Sequence, residues 1–405
     1  MMFSCTVQQT ISKDTYLIEG ENFNVTFYSQ LDDIKEVWNL CCGENLFMNL
    51  PFLKAIEIAP PSNTTFRYAL LREGTETVGI VYFQINHINL YESLRLEVER
   101  PEGAWDKFVH SVKSVIAKRL NGRLLVAGNM TLTGSNAFTF KKNIAKDRQM
   151  KIVGQVADHL VCHLKNEGIK PWAILVKDFF VNTDFDTEIP GYARFTVEPN
   201  MVLDINTNWN NFEDYLADMR SKYRVRVRRA RKKASELEKR ELSLEEIHAY
   251  SDKISDLYRS VADQAGFNLF ILPKNYFYSL KNQLGENMSI VGYFEESQMV
   301  GFYTYIKAGN DLDAHFLGYD AECNRCSQLY LNMLYDLVED AIRLRMDRLV
   351  MSRTALEIKS SVGAEPYDMA LYLKGTNKLL NIGVAKILEF LKPNSEWQPR
   401  NPFKD

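Results

Sequence analysis

The sequence predicts a mixed α/β (α+β) protein made of two tandem copies of one module, and three observations carry that expectation. The first is size: 405 residues with 46% apolar composition exceed one ordinary hydrophobic core, so two domains of roughly 200 residues each are expected. The second is a repeated strand pair, FRYALLRE with TVGIVYFQ in the first half and SIVGYFEE with QMVGFYTY in the second. The third is a repeated strand–helix–strand step. RLLVAGN, a helix and WAILVKDF in the first half match DAHFLGYD, a helix and DRLVMSR in the second, the closing strands lying about 175 residues apart. Repetition on that scale indicates duplication of a whole domain rather than a solenoid.

Each element follows from local pattern. In LDDIKEVWNL (31–40), Leu31, Ile34, Val37 and Trp38 recur at helical spacing. PFLKAIEIA (51–59) opens on a proline that a first helical turn tolerates and stops before Pro60-Pro61. The strands at 66–73 and 77–88 are rich in β-branched and aromatic residues and are joined through Gly74. DKFVHSVKSVIAKRL (106–120) puts Phe108, Val109, Val112, Val115 and Ile116 on one face of a helix. A strand at 123–129, a helix at 149–167 and a strand at 172–179 complete the first copy. Two prolines and a glycine in DTEIPGYARFTVEPN (186–200) mark the boundary, giving modules 1–195 and 196–405. The second copy adds helices at 211–237, 252–266, 273–284 and 329–345, a hairpin at 289–308, and strands at 313–320 and 347–353.

Composition narrows the function classes. The net charge of −3 advertises no global attraction to nucleic acid or an anionic surface. No basic and apolar leader opens the chain, and no apolar run approaches the roughly 18 residues of a membrane span, so a cytoplasmic protein is expected, with peripheral membrane contact left open. Six cysteines, Cys5, Cys41, Cys42, Cys162, Cys323 and Cys326, are too sparse for a disulfide framework. The Cys323/Cys326 pair lacks a second ligand pair, and His159, Cys162 and His163 lack a third ligand, so no metal site is expected. No Ser-His-Asp order, P-loop or dinucleotide fingerprint supports a hydrolase, NTPase or dehydrogenase.

The order of helix, hairpin, strand, helix and returning strand resembles the GNAT acyltransferase fold, present twice. Three segments of the second half are similar to Fem-type aminoacyl transferases. MRSKYRVRVRRARKKA (219–234) resembles their Ser-Lys-x-Arg…Lys-Lys helix, LYLNMLYDLVEDAIRLRMDRLVMSRTA (329–355) the helix and strand flanking their substrate groove, and LEIKSSVGAEP (356–366) their Phe-Lys-x-x-Phe-Gly element. The resemblance implies an N-acyltransferase moving an acyl group from an activated donor to an amine. Its alternatives are aminoacyl transfer from tRNA to a cell-wall precursor, and a binding protein that keeps the fold without catalysis. GNAT enzymes cradle the CoA pyrophosphate with a Gly-rich loop at a helix N-terminus, but DAECNRCSQLY (320–330) has no glycine. Gly128, Gly134 and Ser135 of the first copy are not at the family spacing. No tightly bound cofactor is therefore expected. The donor stays open among acyl-CoA, acyl-carrier protein and aminoacyl-tRNA, and the acceptor among a small molecule, a lipid and a cell-wall precursor.

Candidate site residues concentrate in the second copy. From Arg220 to Lys233 nine of fourteen residues are basic, and Leu216, Met219, Tyr223, Val227, Ala230 and Ala234 form an apolar stripe. One helix face thus docks on the core and the other projects Lys222, Arg224, Arg226 and Arg228. That strip is either a solvated face or a site for phosphate, as diphosphate, tRNA backbone or lipid headgroup, or for a carrier protein's acidic helix. His315, in the strand expected to splay, has the pKa range of a general base, and Asp313 shares its face by alternation. Tyr319 is the proposed proton donor, with Tyr330 and Tyr335 as further candidates. Arg353 and Lys359 bracket the third family-like segment and suit a carboxylate or phosphate. The first copy, without such clusters, is structural or binds acceptor.

Overall fold

The expected hairpins and crossovers are present in the computed structural model. It describes residues 15–94, 104–119, 121–141, 144–181, 183, 185–264, 268–378, 380–381, 383 and 397–404. Cys5 lies outside them, as do the side chains of Phe108, Val109, Val112 and Ile116. By its contacts the chain divides into two units, Met1–Val197 with Gly266–Phe270 and Met369–Asn394, and Glu198–Ala265 with Ile271–Asp368 and Ser395–Asp405. Each unit draws on three stretches, where the sequence reading divides the chain once.

The first unit opens with β1 (Thr15–Leu17), β2 (Asn24–Tyr28), α1 (Lys35–Cys41) and α2 (Leu50–Ile58). A hairpin follows, β3 (Thr64–Glu73) with β4 (Glu76–Asn89), then α3 (Leu90–Ser93) and α4 (Ala104–Arg119). Next come β5 (Asn121–Ala127), β6 (Phe138–Phe140), α5 (Lys146–Asn166), β7 (Pro171–Phe180) and β8 (Ala193–Asp204), which runs on into the second unit. β3, β4 and β5 form an antiparallel meander, and α5 returns the chain so that β7 lies parallel to β5. The core face of α5, Met150, Val153, Ala157, Leu160 and Leu164, packs on Val81, Phe83, Leu125 and Val176. Burying each large apolar side chain contributes about 1.5–3 kcal/mol. On α4, Val115 is 55% exposed, so that residue does not belong to a buried face.

The second unit contains α6 (Phe212–Asp218), α7 (Ser221–Lys233), β9 (Glu238–Glu241), α8 (Leu244–Ala249), α9 (Ser251–Ala262) and α10 (Tyr276–Leu284). The meander recurs as β10 (Met288–Glu295), β11 (Gln298–Ala308) and β12 (Asp311–Tyr319). α11 (Ala321–Ser327) and α12 (Leu329–Arg343) then lead to β13 (Arg348–Val350), parallel to β12. α13 (Leu356–Ser360) and β14 (Glu365–Gly375) follow. The repeat extends to the closing pairs, with β7 antiparallel to β14 and β13 antiparallel to β8. The duplicated topology read from the sequence is thus the observed one.

Three element readings need correction. The stretch at 193–200, taken as linker, is extended and belongs to β8. The strand at 347–353 is regular only over Arg348–Val350, with Met351 and Ser352 still bonded to the backbone of Met201. The helix at 211–237 is two helices. Met219 and Arg220 adopt extended backbone between them because Met219 bridges Phe403 and the Arg220 N–H donates to the Pro402 carbonyl at 2.8 Å.

Candidate functional site

The groove of the second unit begins where two parallel strands part. β12 pairs with β13 only from Asp311 to Asp313. Beyond that point β12 continues to Tyr319 while the other chain parts from it, Met351 and Ser352 bonding only to Met201 of β8 on the other side. A register shift against β11 places a bulge at His315–Phe316, and Thr304 Oγ1 satisfies it, accepting from the Phe316 N–H at 2.9 Å and donating to its carbonyl at 2.8 Å. Open sheets place ligands beyond the carboxyl ends of such strands.

A cavity of about 870 Å³ is built from the segments that follow them, together with α7 and the stretch 397–400. Gln328, at the α11–α12 junction, and Ala355–Ile358, after β13, form part of its wall. Lys222, Tyr223, Arg226 and Arg229 line it from α7, Trp397 and Arg400 from the C-terminal stretch, and Glu198 from β8. Glu357 is held by Arg400, whose Nε lies 3.0 Å from Oε1. Among the described residues no carboxylate lies within ion-pair distance of Lys222, Arg226 or Arg229. Lys222 also sits in the first turn of α7, where the helix dipole is positive and a cation is unfavourable. An anion at this end relieves both the mutual repulsion and the dipole conflict.

The wall after β13 stores backbone strain. Ser352, Thr354 and Ala355 all have positive φ, 58°, 68° and 48°, which L-residues reach at a cost of order 1–3 kcal/mol each. Lys359 holds this turn. Its Nζ donates to the carbonyls of Met351 at 2.6 Å, Ser352 at 3.4 Å and Arg353 at 2.6 Å. Burial lowers its pKa to about 7, against the attraction of Glu198. Lys359 is therefore a brace for the turn and does not line the groove, a correction to its expected ligand role. Arg353 is half-buried with its guanidinium turned inward, its pKa lowered to about 10 by desolvation, and it does not line the groove.

The catalytic trio expected from the sequence is not at the groove. His315 stands at the fork of the strands, but its side chain is 1% exposed. Its Nε2 lies 2.9 Å from the Tyr276 hydroxyl, and the two rings stack. Burial lowers its pKa to about 3, so the imidazole is neutral, weakly basic and out of reach of a substrate. Asp313 shares its face as the alternation requires, Oδ1 4.0 Å from Nδ1, but burial raises its pKa to about 7, helped by Asp311. Tyr319 is half-buried, its pKa raised by burial, and it packs against Tyr330 away from the groove lining. Tyr330 is half-buried and Tyr335 buried, and burial pushes both hydroxyls up, Tyr335 to about 12.

The cationic strip divides. Lys222 and Arg226 line the groove. Arg224 instead donates to the Met219 carbonyl at 2.6 Å, closing the end of α6. Arg228 lines a second cavity on the opposite flank of α7. Arg229 was not singled out in the sequence, although its spacing from Lys222 and Arg226 places it on their face. Trp397 and Arg400 carried no local signal at all. Cys323 and Cys326 lie in α11, where the Cys323 thiol contacts Ser327 Oγ at 3.7 Å. His159 stacks on Tyr16, and His163 lies 3.2 Å from Glu167.

Comparison with known proteins fixes the family. A family model, FemAB_like, described as peptidoglycan biosynthesis/recognition, matches residues 145–350, just over half of the chain. The chain belongs to this FemAB-like family. Membership supports acyl or aminoacyl transfer as the activity class. No curated protein matches the sequence. Among solved structures, FemX is similar at 10% identity and a TM-score of 0.48, over 90% of this chain and 99% of that one. A tandem GNAT protein from the clavulanic acid biosynthesis pathway gives 11% and 0.47, over 87% and 99%. L-PGS from Bacillus licheniformis gives 10% and 0.44, over 84% and 94%. These are likenesses in outline, and no residue role is transferred from them. Among the described residues no helix is long and apolar enough to cross a membrane.

Proposed function

We propose that this FemAB-like protein is an acyl- or aminoacyltransferase that binds a phosphate-bearing donor in the groove of the second unit. The observation carrying the proposal is the set of three cations, Lys222, Arg226 and Arg229, without carboxylate partners in a groove beyond the diverging strands. Acyl-CoA, the phosphopantetheine arm of a carrier protein and aminoacyl-tRNA all present phosphate there. The peptidoglycan description of the family favours aminoacyl-tRNA as donor and a cell-wall precursor as acceptor.

The chemistry is displacement at a carbonyl. The amine nitrogen attacks the acyl carbon, a C–N bond forms, and the bond to the leaving sulfur or ribose oxygen breaks. The leaving atom gains the proton the amine loses. In this reading the groove contributes orientation and removal of the reacting groups from bulk water, and His315 takes no proton. A non-catalytic binding role predicts ligand stabilisation without product.

Thermal shift against acyl-CoAs, acyl-carrier protein and aminoacyl-tRNA, followed by mass spectrometry of acceptor mixtures, tests the proposal. A donor that stabilises the protein, loses that effect on combined substitution of Lys222, Arg226 and Arg229 by Gln, and yields a transferred group is expected. Donor stabilisation unaffected by the triple substitution would overturn it.

A further inference from the structure

Phosphate accounts for only one wall of the groove beside α7. Trp397 lines the same cavity of about 870 Å³ and is half-buried. Part of its ring packs on the core of the second unit. Among the described residues, however, no ring stacks on it, no cation covers it and nothing accepts its indole N–H. That N–H is not among the enclosed polar atoms, so a ligand reaches it.

The C-terminal stretch is anchored without this indole. Phe403 sits between Trp209 and Tyr215, the Arg400 N–H donates to Ser360 Oγ at 3.0 Å, and Arg400 Nε donates to Glu357 at 3.0 Å. The same stretch faces the first turn of α7. The Arg220 N–H donates to the Pro402 carbonyl at 2.8 Å, and Arg400 lies within electrostatic reach of the Tyr223 hydroxyl. Trp397 stands three residues before Arg400, so at most about 11 Å of backbone separates the two. A nucleoside phosphate spans a comparable length. A half-exposed indole in one cavity with Lys222, Arg226 and Arg229 is the pairing that holds nucleotides, since the ring stacks the base while the cations hold the phosphate. A flexible pantetheine arm offers the indole no planar partner.

We infer that Trp397 is the stacking platform for a nucleobase of the donor. The donor is then an adenine nucleotide derivative, acyl-CoA or aminoacyl-tRNA, and not the phosphopantetheine arm of a carrier protein. This rests on the phosphate reading of the groove and narrows its donor.

Isothermal titration of the full chain with adenosine monophosphate and with ribose phosphate at low salt tests it. The nucleotide is expected to bind at least about five-fold more tightly than the sugar phosphate, the worth of one stacked base. Trp397→Ala is expected to erase that ratio while leaving ribose phosphate binding as in the wild type, and Trp397→Phe to keep most of it. Coenzyme A and an oligonucleotide ending in CCA, titrated alongside, separate the two sources of adenine. Equal affinity for the two probes in the wild-type chain overturns the inference, as does a ratio that survives Trp397→Ala. Those outcomes leave the phosphate reading standing if combined substitution of Lys222, Arg226 and Arg229 by Gln weakens both probes. Failure of both probes to bind overturns both readings.

Discussion

Asp313 and His315 lie side by side in the core, a carboxyl whose pKa is raised to about 7 and an imidazole whose pKa is lowered to about 3. Both shifts come from burial, and they pull stability in opposite directions. Asp313 contributes stability that is complete below its ordinary value of 3.8 and is lost as pH rises through 7. His315 contributes stability that is complete above 6.5 and is lost as pH falls toward 3. Between about pH 4 and 6.5 the two slopes cancel. Asp313→Asn exposes the histidine slope, and stability should fall on acidification by about 1.4 kcal/mol per pH unit. His315→Gln should tilt the curve the other way by the same amount. Urea midpoints across that window check this, and two curves tilting in the same direction would exclude a neutral pair. Alternation along one strand made the shared face of these residues legible in the sequence. The covering ring of Tyr276, brought by α10, was not, because only tertiary packing places it there.

At the scale of elements, α6 and α7 show why local pattern located a helix and missed its break. The apolar stripe from Leu216 to Ala234 is continuous, so nothing in that segment marks Met219. The break is imposed by the stretch 397–404, which bridges Met219, bonds Arg220 and carries Lys404, whose Nζ meets the Ala217 carbonyl at 2.6 Å. Phe403 anchors that stretch between Trp209 and Tyr215 and over Gly363. A Cβ on Gly363 would stand 2.4 Å from the Phe403 ring, and its φ is +102°. Gly363→Ala is therefore expected to cost about 2–4 kcal/mol in chemical denaturation. It should also speed proteolysis at the 397–404 stretch. Wild-type stability in this variant would show that Phe403 does not hold the stretch in place.

Across the whole molecule, duplication of the sheet is plain from sequence, since strand pairs and crossovers leave periodic apolar runs in both halves. The site was only half legible. The cationic strip announced itself by density, but its division among two cavities and a helix cap depends on which flank of α7 each residue occupies. Binding of a phosphate-rich donor should weaken with salt. For aminoacyl-tRNA, the log–log slope should shrink by roughly 0.7 to 0.9 for each of Lys222, Arg226 and Arg229 neutralised, and not for Arg228→Gln. Filter binding over a salt series measures it, and a slope equally sensitive to Arg228 would place the nucleic acid on the other flank.

The place of Trp397 and Arg400 in the wall of the proposed donor groove also sets an order of events during synthesis. Nearly the entire second unit lies between α7 and the stretch that supplies Trp397 and Arg400. A ribosome exposes the basic helix long before its opposite wall exists, and closing so distant a contact is slow. Until that wall forms, Lys222, Arg226 and Arg229 stand on an open cationic ridge. The groove gains its second wall only once residues 397–400 have been made.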